Sequence, residues 1–134
     1  MKKFCLVLAM VLAMVACRAG KSIETINYNT PEQNLTLNQM RDAIARGCIA
    51  RQWHVTELDP NTIEASITVR GKHNVVVTIP FTPNHYEIKY KSSSNMEYKM
   101  KDGTPSIHPN YNKWVHNLDY SIQAEIGGVK YNKK

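Results

Sequence analysis

Between Trp53 and Lys91 the sequence alternates apolar and polar side chains again and again, which leaves the chain few ways to fold. Ile63, Ala65, Ile67 and Val69 are interleaved with Glu64, Ser66, Thr68 and Arg70. Val75, Val77, Ile79 and Phe81 form a second such run, and Tyr86, Ile88 and Tyr90 a third. A period of two sends alternate side chains to opposite faces, so each run predicts a half-buried strand. A shorter run at Trp53 and Val55 predicts one before them, and Met96–Met100, bearing Tyr98, predicts a short one after. The spacers Asp59-Pro60-Asn61, Gly71-Lys72 and Thr82-Pro83-Asn84 are turns by composition. They are too short for a parallel crossover, so neighbouring strands are antiparallel. Pro80 cannot donate to a ladder and marks a strand end or an edge. Ser92-Ser93-Ser94-Asn95 breaks the alternation, and Lys101–Ser106 reads as a loop.

Helical periodicity brackets the strands. Thr36-Leu37-Asn38-Gln39 has the form of a capping box, in which the threonine oxygen and the glutamine side chain each satisfy a free backbone N–H. Leu37, Met40, Ile44 and Cys48 then recur at spacings of three and four, one apolar stripe on a helix. Gly47 beside that stripe costs about 1 kcal/mol of helix propensity relative to alanine, and predicts a close approach of the helix to a sheet. Pro109 opens a second helix, where proline is tolerated at the first position. Tyr111, Trp114, Val115, Leu118, Ile122 and Ile126 form its stripe, and Gly127-Gly128 is read as its stop. One sheet face is polar in every strand except at Val76, so only the other needs cover. The expected fold is an α+β two-layer sandwich, with an antiparallel four- to five-stranded sheet and an N-terminal and a C-terminal helix on one face (α-β-β-β-β-α). The domain is expected to span residues 35–126, with a basic tail at 127–134.

The N-terminus constrains location. Met1-Lys2-Lys3 is positive, and Phe4–Ala16 carries no charge. A charged start, a short apolar core and a small residue at its end are the marks of an export signal. The run is shorter than the roughly 20 apolar residues a bilayer span needs. A buried cytosolic helix would show a polar face, and this segment shows none. An ordinary secretory signal cut after Ala16 or Ala19 is the alternative.

Removing residues 1–16 takes Lys2 and Lys3 away, so the +6 of the whole chain falls to about +4. What remains is enough for one domain. A basic domain suggests nucleic acid, but an exported one meets anionic headgroups or cell-wall polymer instead. Cys5 leaves with the signal, so Cys48 and Cys17 are the cysteines of the mature chain. Cys48 reads as a small buried hydrophobe; a nucleophile would need a base and an electropositive, partly exposed setting, for which His54 is the nearest candidate in sequence. His54, His73, His85, His108 and His116 form no H-x-H or H-x-x-x-H pair, so no metal is expected. The Ser92–Ser94 run lacks a G-x-S-x-G frame. No glycine loop that cradles phosphate occurs, and the carboxylates are scattered. The chemistry-bearing cluster is aromatic: Tyr86, Tyr90, Tyr98, Tyr111 and Trp114, with His108 and Asn110 at the helix start. It reads either as core or as a groove between sheet and second helix that takes a ligand or protein segment.

Met14-Val15-Ala16-Cys17 resembles the lipobox of bacterial lipoprotein precursors, with Met14 in place of the usual leucine. The resemblance implies cleavage before Cys17, a diacylglycerol on its thiol and an acyl chain on its new amino group. No other cofactor is expected. Arg18, where an aspartate would mark retention, resembles the outer-membrane address of enterobacterial-type sorting. Residues 17–34 then read as a tether, with a reach of about 20–25 Å if flexible; the alternative is that Ile23, Ile26 and Tyr28 pack down onto the domain.

Tyr86-x-Ile88-x-Tyr90, Ser93-x-Asn95, Tyr98 and Ile107-His108-x-Asn110-Tyr111-x-x-Trp114 resemble a family of small Gram-negative lipoproteins without a settled function. The likeness covers roughly residues 35–126 and implies the same helix–strands–helix order, but no activity. Ser93-Ser94-x-x-x-Tyr98 also resembles the inhibitory loop of periplasmic lysozyme-inhibitor lipoproteins, although the loop glycine and the disulfide are missing. The expectation is a non-enzymatic lipoprotein on the periplasmic side of the outer membrane that binds or scaffolds an envelope protein or cell-wall polymer. The alternatives are a modulator of a cell-wall enzyme and an enzyme of unknown class.

Overall fold

The computed structural model describes residues 20–30 and 35–132. The signal segment, Cys17, Arg18 and the last two lysines lie outside the described residues. The elements in chain order are β1 (Lys21–Ser22), β2 (Ile26–Asn29), α1 (Leu37–Ala50), β3 (His54–Asp59), β4 (Thr62–Val69), β5 (His73–Thr82), β6 (His85–Ser94), β7 (Lys99–Lys101), β8 (Thr104–Ile107) and α2 (Asn110–Asn132). The fold is α+β. A five-stranded antiparallel sheet runs in the order β2-β6-β5-β4-β3, and a three-stranded one in the order β1-β8-β7.

The alternating runs become strands whose apolar residues face a single core. Ile63, Ala65, Val75, Val77, Ile79, Phe81, Tyr86 and Ile88 are buried there against Met40, Ile44 and Cys48 of α1 and Leu118, Ile122 and Ile126 of α2. Helix α1 lies against β3, β4 and β5, while α2 packs on α1 and reaches β2. The opposite sheet face is polar and tied together by its own side chains. Thr68 Oγ1 donates to Asn74 Oδ1 (2.6 Å), Asn74 Nδ2 donates to Ser94 Oγ (2.7 Å), and Lys91 pairs with Glu64.

A bulge explains why the alternation breaks after Tyr90. Val76 faces Ser92 and Val77 faces Tyr90, so Lys91 is an extra residue on β6. The bulge shifts the phase by one. Ser93 thereby joins Tyr90 on the core face, where Tyr90 Oη and Ser93 Oγ hydrogen-bond at 2.9 Å.

Thr36 caps α1 as expected. Gln39 N–H donates to Thr36 Oγ1 (3.0 Å), and Thr36 N–H donates to Gln39 Oε1 (2.9 Å). Gly47 does permit a close approach, but to α2 and not to the sheet. A Cβ there would lie 2.7 Å from Ile122 Cα.

Four further expectations are corrected. Residues 20–30, expected within the tether, carry two strands. Asn112 of α2 fastens them: its Nδ2 donates to Ser22 O (2.8 Å) and its Oδ1 accepts from Glu24 N (3.0 Å). Strand β2 pairs with β6 in the register Ile26↔Ile88 and Tyr28↔Tyr86, so β2 is the fifth strand of the large sheet, a place the sequence assigned to Met96–Met100. The expected loop at Lys101–Ser106 is a hairpin. Asp102 and Gly103 have φ of 52° and 78°, the two successive left-handed residues of a two-residue hairpin turn. Finally, α2 does not stop at Gly127-Gly128 but runs to Asn132. Ile126 and Val129 both pack on the core one turn apart, and the two glycines face open space. Those contacts outweigh a propensity cost of about 1 kcal/mol per glycine.

Candidate functional site

The residues between β6 and α2 build one junction. Asn95 and Glu97 both have φ of 56°, which turns the chain sharply and buries Met96 between them. Asn95 is held from two sides: His73 Nδ1 donates to its carbonyl (2.8 Å), and its Nδ2 donates to Lys72 O (2.8 Å). Met96 O accepts from His108 N (2.8 Å). The β4–β5 turn, the Met96 segment and the start of α2 are thus joined by hydrogen bonds.

A cleft of about 260 Å³ opens at this junction. Val69, Arg70 and His73 border it from the β4–β5 turn, Met96 from the connecting segment, and His108, Asn110, Lys113 and Trp114 from the start of α2. None of these lining residues is acidic, and the first turn of α2 has no acidic residue either. Arg70 and Lys113 are exposed cations. His108 caps α2: its Nδ1 accepts from Asn110 N (3.1 Å) and its carbonyl from Tyr111 N (3.0 Å). That bond leaves the proton of the neutral ring on Nε2. His73 has the opposite tautomer, because Nδ1 is its donor to Asn95.

The seven aromatic and polar residues singled out from the sequence do not form one site. His108, Asn110 and Trp114 line the cleft. Tyr90, Tyr98 and Tyr111 form a separate stack, with Tyr90 parallel to Tyr98 (centroids 5.1 Å apart, planes 1° apart) and edge-on to Tyr111 (5.6 Å, 75°). Tyr98 is half-exposed and Tyr111 fully buried. Burial, and then Tyr90 nearby, push the Tyr111 phenol above the ordinary tyrosine range. Tyr86 lies with Tyr28 (centroids 5.2 Å apart) and donates to the buried carboxylate of Asp119, which also accepts from Gln123 Nε2 (2.9 Å). Burial, followed by that carboxylate, raises Tyr86 well above its usual range.

Arg70, His73 and Lys113 were not singled out as site residues. Lys113 was within reach, since Asn110, Lys113 and Trp114 fall at i, i+3 and i+4 on one helix face. The two turn residues meet the helix only through tertiary folding.

Other candidates are accounted for structurally. The Cys48 thiol is fully buried, which pushes its pKa up to about 12, and His54 is exposed. Ser93 and Ser94 are both engaged in side-chain hydrogen bonds with the sheet. Among the described residues, no three His, Cys, Asp or Glu side chains converge as a metal site would need, and no helix is long and apolar enough to cross a membrane. No known protein family matches the chain, and no curated protein matches it in sequence.

Proposed function

We propose that the protein is a lipid-anchored binding protein of the cell envelope, fastened through Cys17 to the periplasmic face of the outer membrane. The cleft beside His108 and Trp114 is its ligand site. The observation that carries the binding role is the cleft itself: three separate parts of the chain, locked by hydrogen bonds, hold polar and apolar side chains around a preformed opening. A non-enzymatic role fits its chemistry. The Nδ1 atoms of His73 and His108 are spent on structural hydrogen bonds, and the one described thiol is buried and protonated.

The anchor reading rests on Met14–Cys17 and acquires a dimension from the fold. Gly20 already packs on β8, since a Cβ there would clash with Ser106 Oγ and lie 3.1 Å from Ile107 O. Three residue steps separate Cys17 from Gly20. They span at most about 11 Å, not the 20–25 Å of a free tether. A lipid on Cys17 would hold the small sheet directly against the headgroups.

A second reading, modulation of a cell-wall enzyme, is favoured by Tyr98 and Met100, which expose apolar surface beside the β7–β8 hairpin. Photo-cross-linkers placed at Asn110, on the cleft rim, and at Met100 in living cells separate the two. A small-molecule mass added at Asn110 supports the ligand cleft, whereas a protein-sized adduct at Met100 alone supports modulation. If neither position gains mass, both readings fail.

A further inference from the structure

We infer that the cleft takes a small phosphate-bearing molecule, a ligand class that rests on the binding-site reading above. The charge is one-sided: Arg70 and Lys113 each bring a positive charge, His108 brings a neutral N–H at Nε2, and no described lining residue is acidic. Such a set suits an anion with several acceptor oxygens. A phosphate monoester carries close to two negative charges and three terminal oxygens, matching two cations and a neutral donor. Arginine and lysine are the side chains that recognise it, the former through a fork of N–H groups.

The lining also has apolar members. Val69, Met96 and the half-buried Trp114 present hydrocarbon and an indole. The volume of about 260 Å³ lies just under the lower bound of about 300 Å³ for drug-sized sites. The ligand is therefore a phosphate on a body about the size of one ring or sugar, its apolar face against Trp114. Another depression of about 200 Å³, beside Pro80 and Phe81, sets Glu87 next to His85 and lacks the one-sided charge. A phospholipid headgroup offers the related phosphodiester, with one negative charge and two terminal oxygens, and the probes below distinguish it from a soluble monoester.

The test is calorimetry and ¹⁵N NMR on the full mature chain in neutral detergent at low salt, with phenyl phosphate, glycerophosphoglycerol, inorganic phosphate and phenol. Phenyl phosphate or glycerophosphoglycerol is expected to bind and to shift the Trp114 indole N–H, with the core Trp53 unmoved. Preference for the former assigns the phosphate to a soluble ester, and for the latter to lipid. Inorganic phosphate is expected to bind more weakly and phenol not measurably. Arg70→Asn and Lys113→Gln should each weaken binding about tenfold, the loss of one charge-assisted contact. Arg70 has a φ of 55°, and asparagine tolerates that conformation, so an unchanged melting temperature is expected. Phenol binding as well as phenyl phosphate, or variants binding like wild type, would overturn the phosphate assignment and leave the binding site standing. Silence from all four probes would overturn the phosphate assignment, and the lack of any adduct at Asn110 in cells would remove the binding site as well.

Discussion

Gly47 on α1 and Ile122 on α2 are in backbone contact. A Cβ on Gly47 would come within 2.7 Å of both the Cα and the Cγ1 of Ile122, and Ser121 Oγ donates to Gly47 O at 2.9 Å. The helix pair that covers the sheet is therefore set by the absence of one side chain. Gly47→Ala should destabilise the protein by about 1–3 kcal/mol through overpacking, despite a gain of about 1 kcal/mol in helix propensity. Gly127→Ala, in open space on α2, should instead be neutral or stabilising by up to about 1 kcal/mol. Urea midpoints moving the same way for both would contradict this packing.

Two buried tyrosines make opposite predictions. Tyr86 donates to Asp119, which is itself buried, whereas the Tyr111 hydroxyl has no partner among the described residues. Tyr86→Phe should cost about 1–3 kcal/mol, because it strips a donor from a buried carboxylate. Tyr111→Phe removes a polar atom that makes no bond, so it should be neutral or stabilising. Equilibrium unfolding should place Tyr86→Phe well below wild type and Tyr111→Phe at or above it.

Stability should fall in alkali. The Cys48 thiol keeps its proton to about 12 in the fold but titrates near 9.0 when unfolded. Between those values the unfolded chain holds fewer protons than the native one, so raising pH favours unfolding by about 1.4 kcal/mol per unit. Below 9.0 the effect is absent. Tyr86 and Tyr111, also raised by burial, add the same sign at higher pH. Urea titrations at pH 8 and pH 10.5, under reducing conditions, should show the drop, and Cys48→Ala should flatten it while lowering stability at pH 8.

The short link between Cys17 and Gly20 predicts proximity. In vesicles, a dye attached at Lys21 should be quenched by headgroup-labelled lipid. Inserting ten Gly/Ser residues after Arg18 raises the root-mean-square length of the link from about 10 Å to about 20 Å and should relieve most of the quenching. Equal quenching in the two proteins would mean that the link does not set the distance.

The large sheet and α1 were legible because each rested on a long periodic signal: four apolar residues in alternation on β4 and on β5, and the Thr36–Gln39 box before a clean stripe. What escaped had weak or overridden local signals. Ile26 and Tyr28 offer only one alternation, and β2 is fixed by pairing with the much longer β6. Lys99, Met100 and Lys101 are all exposed and do not alternate, which hid the hairpin although Asp102-Gly103 is a strong turn pair. At the site, Tyr86 and Tyr90 were grouped because they share a sheet face. Four residues along a strand separate them by about 13 Å, enough to put one beside Asp119 and the other beside Ser93. His108, Asn110 and Trp114 were readable from the helix start, while Arg70 and His73 join them only through the fold.

The proposed anchor at Cys17 decides where the protein resides. Its most direct test is the mass of the N-terminal peptide of the protein isolated from the outer-membrane fraction of cells that make it. The prediction is a chain beginning at Cys17 with a diacylglyceryl thioether and an acylated amino group. A peptide with a bare Cys17 thiol, or one still carrying residues 1–16, would contradict it.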